Sequence, residues 1–192
     1  MTQTLEARTR QELPDLVRRE NNLNFVRHLP AFYIAGSTML KPFLLYNQNP
    51  FEYMGRDSTS MTMLLTGLAL GVAGTILKSE NDGEDMKTIC ANIKNSENPS
   101  MVETGMYSQT RHPCYFAQTI MSAGFLVMSP ALDTALAFAA YLGLTKKTAE
   151  AEERKNLAQF GDKYKRYMKK VPRWPKLSGI SKMFGYASKS LS

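Results

Sequence analysis

The sequence predicts an all-α protein: a polytopic membrane helix bundle with a C-terminal helical hairpin, followed by an amphipathic basic tail. Three observations predict it. The chain is 43% apolar over 192 residues, and those residues gather into a few long runs while the connecting segments hold the charge. The run 61–77 has only Thr62, Thr66 and Thr75 as polar interruptions, which is the pattern of a spanning helix. The run 115–145 is apolar apart from a few hydroxyls, Gln118 and Asp133, and Ser129-Pro130 at its centre reads as a tight turn.

Residues 1–192 read as one membrane domain. Segment 1–29 is charged and is expected at the surface, where Leu13, Leu16 and Val17 make one apolar stripe on a short helix. Pro30 suits the first turn of the next helix. The apolar helices occupy 30–78. Lys41-Pro42 interrupts the first of them and makes it a weak span, kinked or interfacial. In the second, Gly67, Gly71 and Gly74 put small residues on one face, which allows close helix contact in lipid. In water so many glycines weaken a helix. Residues 79–110 form a polar, acidic loop, with a short helix expected over 86–93. Segment 111–145 is the helical hairpin. Each half has about 14 to 16 residues, short of the ~20 that a perpendicular span needs. Asp133 sits beside the turn, so it is expected at the far interface. The last segment, 146–192, holds a helix rich in Ala, Glu and Lys, then the extended Val171-Pro172-Arg173-Trp174-Pro175. A tail helix follows, with Leu177, Ile180, Phe184, Ala187 and Leu191 at helical spacing. If both spans and the hairpin cross, the termini, the acidic loop and the basic tail share one side of the membrane.

The net charge of +7 is unevenly placed: from Lys146 onward there are 13 Lys or Arg against 4 acids. Beside an apolar hairpin, such a tail faces anionic lipid headgroups, and no nucleic-acid partner is expected. The two cysteines, Cys90 and Cys114, make neither a disulfide framework nor a metal spacing, so no metal site is expected. Segment 1–28 lacks the apolar core of a secretory signal. It is compatible with an uncleaved mitochondrial address.

Two polar blocks bracket the hairpin. Read alone, Arg111 and His112 are interfacial anchors, Glu152 and Glu153 a solvated helix face, and Arg173-Trp174 a plain interfacial pair. A hairpin, however, returns the second block to the membrane face of the first. His112 and Tyr115 lie three apart on one helix face. Together the blocks supply cationic donors, a pair of carboxylates and a stacking ring. Carboxylates can hold ribose hydroxyls or an ammonium, and Arg or His can meet a carboxylate. Those are the groups that grip a small charged, nucleotide-like molecule.

The blocks carry a resemblance. Gly105-x-Tyr107-x-x-x-Arg111-His112-Pro113-x-Tyr115 is followed by Glu152-Glu153-Arg154-x-x-Leu157-x-x-Phe160-Gly161-x-x-Tyr164-x-x-Tyr167-x-x-x-Val171-Pro172-Arg173. This resembles the isoprenylcysteine carboxyl methyltransferase and phospholipid methyltransferase superfamily, over roughly 105–175. The resemblance implies membrane helices with S-adenosylmethionine bound at one end by His112, Tyr115, Glu152, Glu153 and Arg173. It also implies Arg111 toward the substrate and a lipid or lipidated methyl acceptor entering from the bilayer. Where the family often has Gly two positions after the Tyr, this chain has Ala117, whose methyl is expected to narrow the cofactor pocket. The alternative expectation is a catalytically lapsed member of the same fold, serving as an accessory subunit of a large membrane complex such as a mitochondrial respiratory assembly. The expected partners are membrane lipids and, on that alternative, other subunits. The expected location is the endoplasmic reticulum or the mitochondrial inner membrane.

Overall fold

A computed structural model describes residues 2–46, 58–81 and 101–190. Among these there are six α-helices, one short 3-10 turn at Gly105–Ser108 and no strand. The helices are α1 (Thr2–Tyr46), α2 (Ser58–Asn81), α3 (Pro113–Met128), α4 (Leu132–Phe160), α5 (Asp162–Lys170) and α6 (Leu177–Ser190). The helix expected over 86–93 lies outside the described residues, as does most of the polar turn before α2. α1 runs along α4, α2 runs along α3, and α6 covers α2 and the 3-10 turn.

The α2–α3 contact is built on missing side chains. A Cβ placed on Gly67 would lie 2.6 Å from the Gly124 carbonyl oxygen, and one on Gly74 would lie 2.7 Å from that of Ala117. Backbone meets backbone, as the small-residue face of α2 predicts. Gly71 differs, for a Cβ there meets nothing within 4 Å. Ala117 is fully buried in a cluster with Leu77, Met106 and Met183. Its methyl is therefore spent on helix packing, which corrects the expectation that it narrows a cofactor pocket.

α1 corrects a second expectation. Segment 1–29 does not form a separate surface element; one helix runs through Pro30 to Tyr46. An interior proline forgoes a backbone hydrogen bond. Anchors on both sides of Pro30 offset that loss. Lys155 pairs with Glu20 at 2.5 Å, the Arg27 guanidinium lies 4.0 Å over the Tyr115 ring, and Ile34 is fully buried. Lys41, the weak point of the first apolar run, pairs with Asp133, which also accepts a 2.5 Å hydrogen bond from the Tyr33 hydroxyl. The interruption in one run thus answers the charge in the other.

The hairpin turn falls where Ser129-Pro130 places it. The Thr134 hydroxyl donates to the Ser129 carbonyl at 2.9 Å and accepts from the Ala131 N–H at 3.0 Å, which starts α4. Beyond the turn, α4 continues without a break past Lys146-Lys147 to Phe160. Among the described residues one segment, Met61–Lys78, is long and apolar enough to cross a membrane. α3, at 16 residues, is shorter: at 1.5 Å per residue it reaches about 24 Å, against ~30 Å of hydrocarbon. On α2, Leu65 and Val72 are 60% and 59% exposed. The tail helix packs on the rest of the chain by a face other than that of Leu177 and Phe184. Met183 is fully buried and Gly179 faces Gln109, whereas Leu177 is 86% exposed and Phe184 points outward.

Candidate functional site

The site gathers where the start of α3, the middle of α4 and the segment after α5 meet. Its scaffold is backbone hydrogen bonding. The Arg111 N–H donates to the Pro172 carbonyl at 3.0 Å, and the Thr110 hydroxyl donates to the Arg173 carbonyl at 2.7 Å. The Tyr167 hydroxyl donates to the Tyr107 carbonyl at 2.7 Å. These bonds stitch the strip before α3 to α5 and the strip after it. Pro113 occupies the first turn of α3, with His112 as the cap, a placement that its fixed φ favours.

His112 is buried between two carboxylates. Its Nδ1 lies 3.3 Å from Glu152 Oε2 and its Nε2 lies 3.2 Å from Glu153 Oε1. Consecutive residues on a helix diverge by about 100°, so adjacent glutamates reach around opposite sides of one ring. Each nitrogen then has an acceptor, which the doubly protonated imidazolium satisfies. Burial alone lowers the pKa of His112, but the hydrogen bonds and charges of Glu152 and Glu153 outweigh it and hold the value above the ordinary one.

Glu153 is the hub. It is 3% exposed. Arg173 grips it with a two-pronged fork, Nε to Oε1 at 3.0 Å and Nη2 to Oε2 at 2.6 Å. Arg111 Nη2 adds a third contact at 3.0 Å to Oε1. Burial raises the Glu153 pKa, yet His112, Arg173 and Arg111 together bring it down to about 2. Glu152, with 29% of its side chain exposed, also sits below the usual carboxylate range because of His112 despite its own desolvation. Arg173 extends to Glu150 at 3.4 Å, and Arg111 Nη1 donates to the Met168 carbonyl at 3.2 Å.

An aromatic stack flanks the ions. The rings of His112 and Tyr115 are parallel within 3° at a 5.2 Å separation, and Trp174 tilts against His112 at 6.1 Å. Arg27 lies over the Tyr115 ring of this stack. It is 2% exposed, and its Nη1 has no hydrogen-bond partner.

The structure thus brings together all six residues singled out in the sequence: Arg111, His112, Tyr115, Glu152, Glu153 and Arg173. They meet in a closed cluster, because His112 and Glu153 fill the space between them by touching. Sequence reasoning missed Arg27 and Glu150. Glu150 lies three residues before Glu153, on the same helix face, and that spacing could have found it. Arg27 is one of several arginines in a charged helix and carries no local signal. Among the described residues no group of three or more His, Cys, Asp or Glu could hold a metal ion.

No curated protein and no solved structure matches the chain. A family model described as "Protein of unknown function (DUF1295)" matches residues 17–171. That span takes in α1 from Val17, all of α2 to α5 and every residue of the cluster except Arg173 and Trp174, and the chain belongs to this family.

Proposed function

We propose that the protein is a membrane-embedded, S-adenosylmethionine-dependent methyltransferase of lipid or lipidated acceptors, with the cluster around His112 as its cofactor site. The observation that carries this reading is the convergence of two blocks some forty positions apart. His112 lies against Glu152 and Glu153, and Arg173 forks the latter. Membrane embedding is supported by the α2 span and by the apolar side chains turned outward on α1, α2 and α4, including Phe25, Leu65 and Leu136.

The donor set suits the cofactor. Glu152 is the carboxylate with room to accept from a ribose hydroxyl or an ammonium. The unpartnered Nη1 of buried Arg27 suits a carboxylate. The Trp174 indole, partly exposed at the edge of the cluster, offers a π face to a sulfonium or a purine. When bound, the cofactor supplies an electrophilic methyl group on a sulfonium. The chain's own part is positioning and exclusion of water, since such a displacement needs no strong acid or base. Arg111 and Arg173 hold Glu153 ionised, and Glu153 holds His112 in place.

The closed contact between His112 and Glu153 favours a second reading, a lapsed member of the fold retained as an accessory subunit. One experiment separates them. In nanodiscs the protein should bind S-adenosylmethionine by calorimetry, and Glu152→Gln and Arg27→Gln should each weaken binding about 10- to 100-fold, the worth of one charge-assisted hydrogen bond. Absence of binding at millimolar cofactor, with co-migration of the endogenous protein in a large complex on native gels, would establish the accessory role instead.

A further inference from the structure

Beside the cluster, a cavity of about 660 Å³ opens between the water-side half of α1 and the middle of α4. Four cations line it, Arg18 and Arg19 from α1 and Lys147 and Arg154 from α4, against two acids, Asp15 and Glu150. Glu150 is already taken by Arg173 at 3.4 Å. The cavity therefore carries an excess of positive charge over a floor of Leu23 and Val26.

The second observation lies below it. On α1, Asn22, Val26, Leu29 and Tyr33 follow at steps of four, three and four, which puts them on one face. On α4, Lys147, Gly143, Ala140 and Leu136 do the same. The helices run antiparallel, because Glu20 meets Lys155 while Lys41 meets Asp133. The two faces therefore descend together from the cavity, and their residues past it, Leu29 and Tyr33 on α1 and Gly143, Ala140 and Leu136 on α4, are exposed. A Cβ added at Gly143 meets nothing within 4 Å, so an open apolar furrow leads away from the charged cavity.

We infer that this is a binding site for an anionic phospholipid, with its phosphate among Arg18, Arg19, Lys147 and Arg154 and one acyl chain in the furrow past Gly143. The level is right: the cavity sits where the charged half of α1 gives way to its apolar half, as at a headgroup boundary. Phosphate could also come from a soluble molecule, but a soluble phosphate has no use for the furrow. The inference rests on the membrane reading above and is independent of the cofactor.

Native mass spectrometry of the protein in mild detergent tests it, with phosphatidylglycerol, phosphatidylcholine of the same chains, and inorganic phosphate as probes. Phosphatidylglycerol should be retained at least about tenfold over phosphatidylcholine, and Arg18→Gln/Arg19→Gln/Arg154→Gln should erase that preference. Gly143→Leu should lower phosphatidylglycerol retention without moving the thermal midpoint. Equal retention of the two lipids, an undiminished preference in the triple variant, or displacement of the lipid by millimolar inorganic phosphate would overturn the site. Alkaline carbonate extraction identifies which step has failed. Release into the supernatant removes the membrane reading and the lipid site with it, whereas retention in the pellet with no lipid preference removes the lipid site alone.

Discussion

Glu153→Gln is the sharpest probe of the cluster. The wild-type carboxylate answers three cations: Arg173 through two bonds, Arg111 at 3.0 Å and His112 at 3.2 Å. The amide keeps the shape and removes the charge. Breaking a buried pair from one side costs about 3–5 kcal/mol, because the partners are left uncompensated. Two features reduce that figure here. Arg173 is 27% exposed in its side chain and retains Glu150, and His112 can shed its proton. Arg111, 9% exposed, has no such outlet. We therefore expect a loss of about 2–4 kcal/mol for Glu153→Gln, and about 1 kcal/mol or less for Glu152→Gln, whose carboxylate is partly open to solvent. For a chain of this size the first corresponds to a fall of about 4–16 °C in thermal midpoint. Differential scanning of both variants in the same detergent checks it. Equal midpoints for Glu152→Gln and Glu153→Gln would refute the assignment of Glu153 as the hub.

Three further outcomes follow from the same geometry. Because the folded pKa of His112 is raised, its stabilisation is complete below about 6.5 and fades as pH climbs through the folded value. Glu153, held at about 2, loses its contribution as pH falls from about 4.5 toward that value; His112→Gln should therefore flatten the alkaline arm of a stability–pH curve and leave most of the acid arm. Gly74→Leu should disrupt the α2–α3 contact, since its first side-chain carbon already meets the Ala117 carbonyl at 2.7 Å; Gly71→Ala should be neutral or stabilising, and limited proteolysis in detergent would rank them. Arg173→Lys keeps the charge but loses the fork on Glu153, and a drop of about 1–2 kcal/mol in chemical denaturation is expected, with no drop speaking against a bidentate role.

The features that were legible in the sequence are those written in periodicity and local chemistry. Gly67 and Gly74 lie on the expected face of α2 because small residues at helical spacing have one efficient use in close packing. The Ser129-Pro130 turn needed only a proline where two apolar runs join. The cluster could be anticipated because a hairpin returns 150–173 to the level of 105–115 whatever the details of packing. What escaped was long-range pairing. The unbroken course of α1 through Pro30 depends on Glu20 meeting Lys155 and Arg27 meeting Tyr115, contacts across more than eighty residues with no local trace. Lys41 looked like a fault in a span until Asp133 stood beside it. The packing of α6 through Met183 and Gly179 against the 3-10 turn and α2 left no signal beside the larger Leu177 and Phe184.

The charge balance of the cluster singles out the residue that separates an enzyme from a lapsed relative. Glu150, Glu152 and Glu153 are matched by Arg111, protonated His112 and Arg173. The cation left over is Arg27, which reaches no carboxylate among the described residues. Its Nε bonds Asn24 at 2.7 Å, and its guanidinium rests on the Tyr115 ring. A buried guanidinium with an unbonded nitrogen is costly unless something answers it. In a purely structural cluster, replacing Arg27 by Met keeps the stem packed over Tyr115 and removes an unmatched charge, so Arg27→Met should raise the thermal midpoint. In a cofactor site the same change should still stabilise the protein alone, but S-adenosylmethionine should no longer add to that stability. The decisive quantity is therefore the cofactor-induced shift in midpoint, compared between wild type and Arg27→Met. A shift present in the first and absent in the second assigns Arg27 to the ligand carboxylate, while no shift in either leaves the cluster as a structural clasp between α1, α3 and α4.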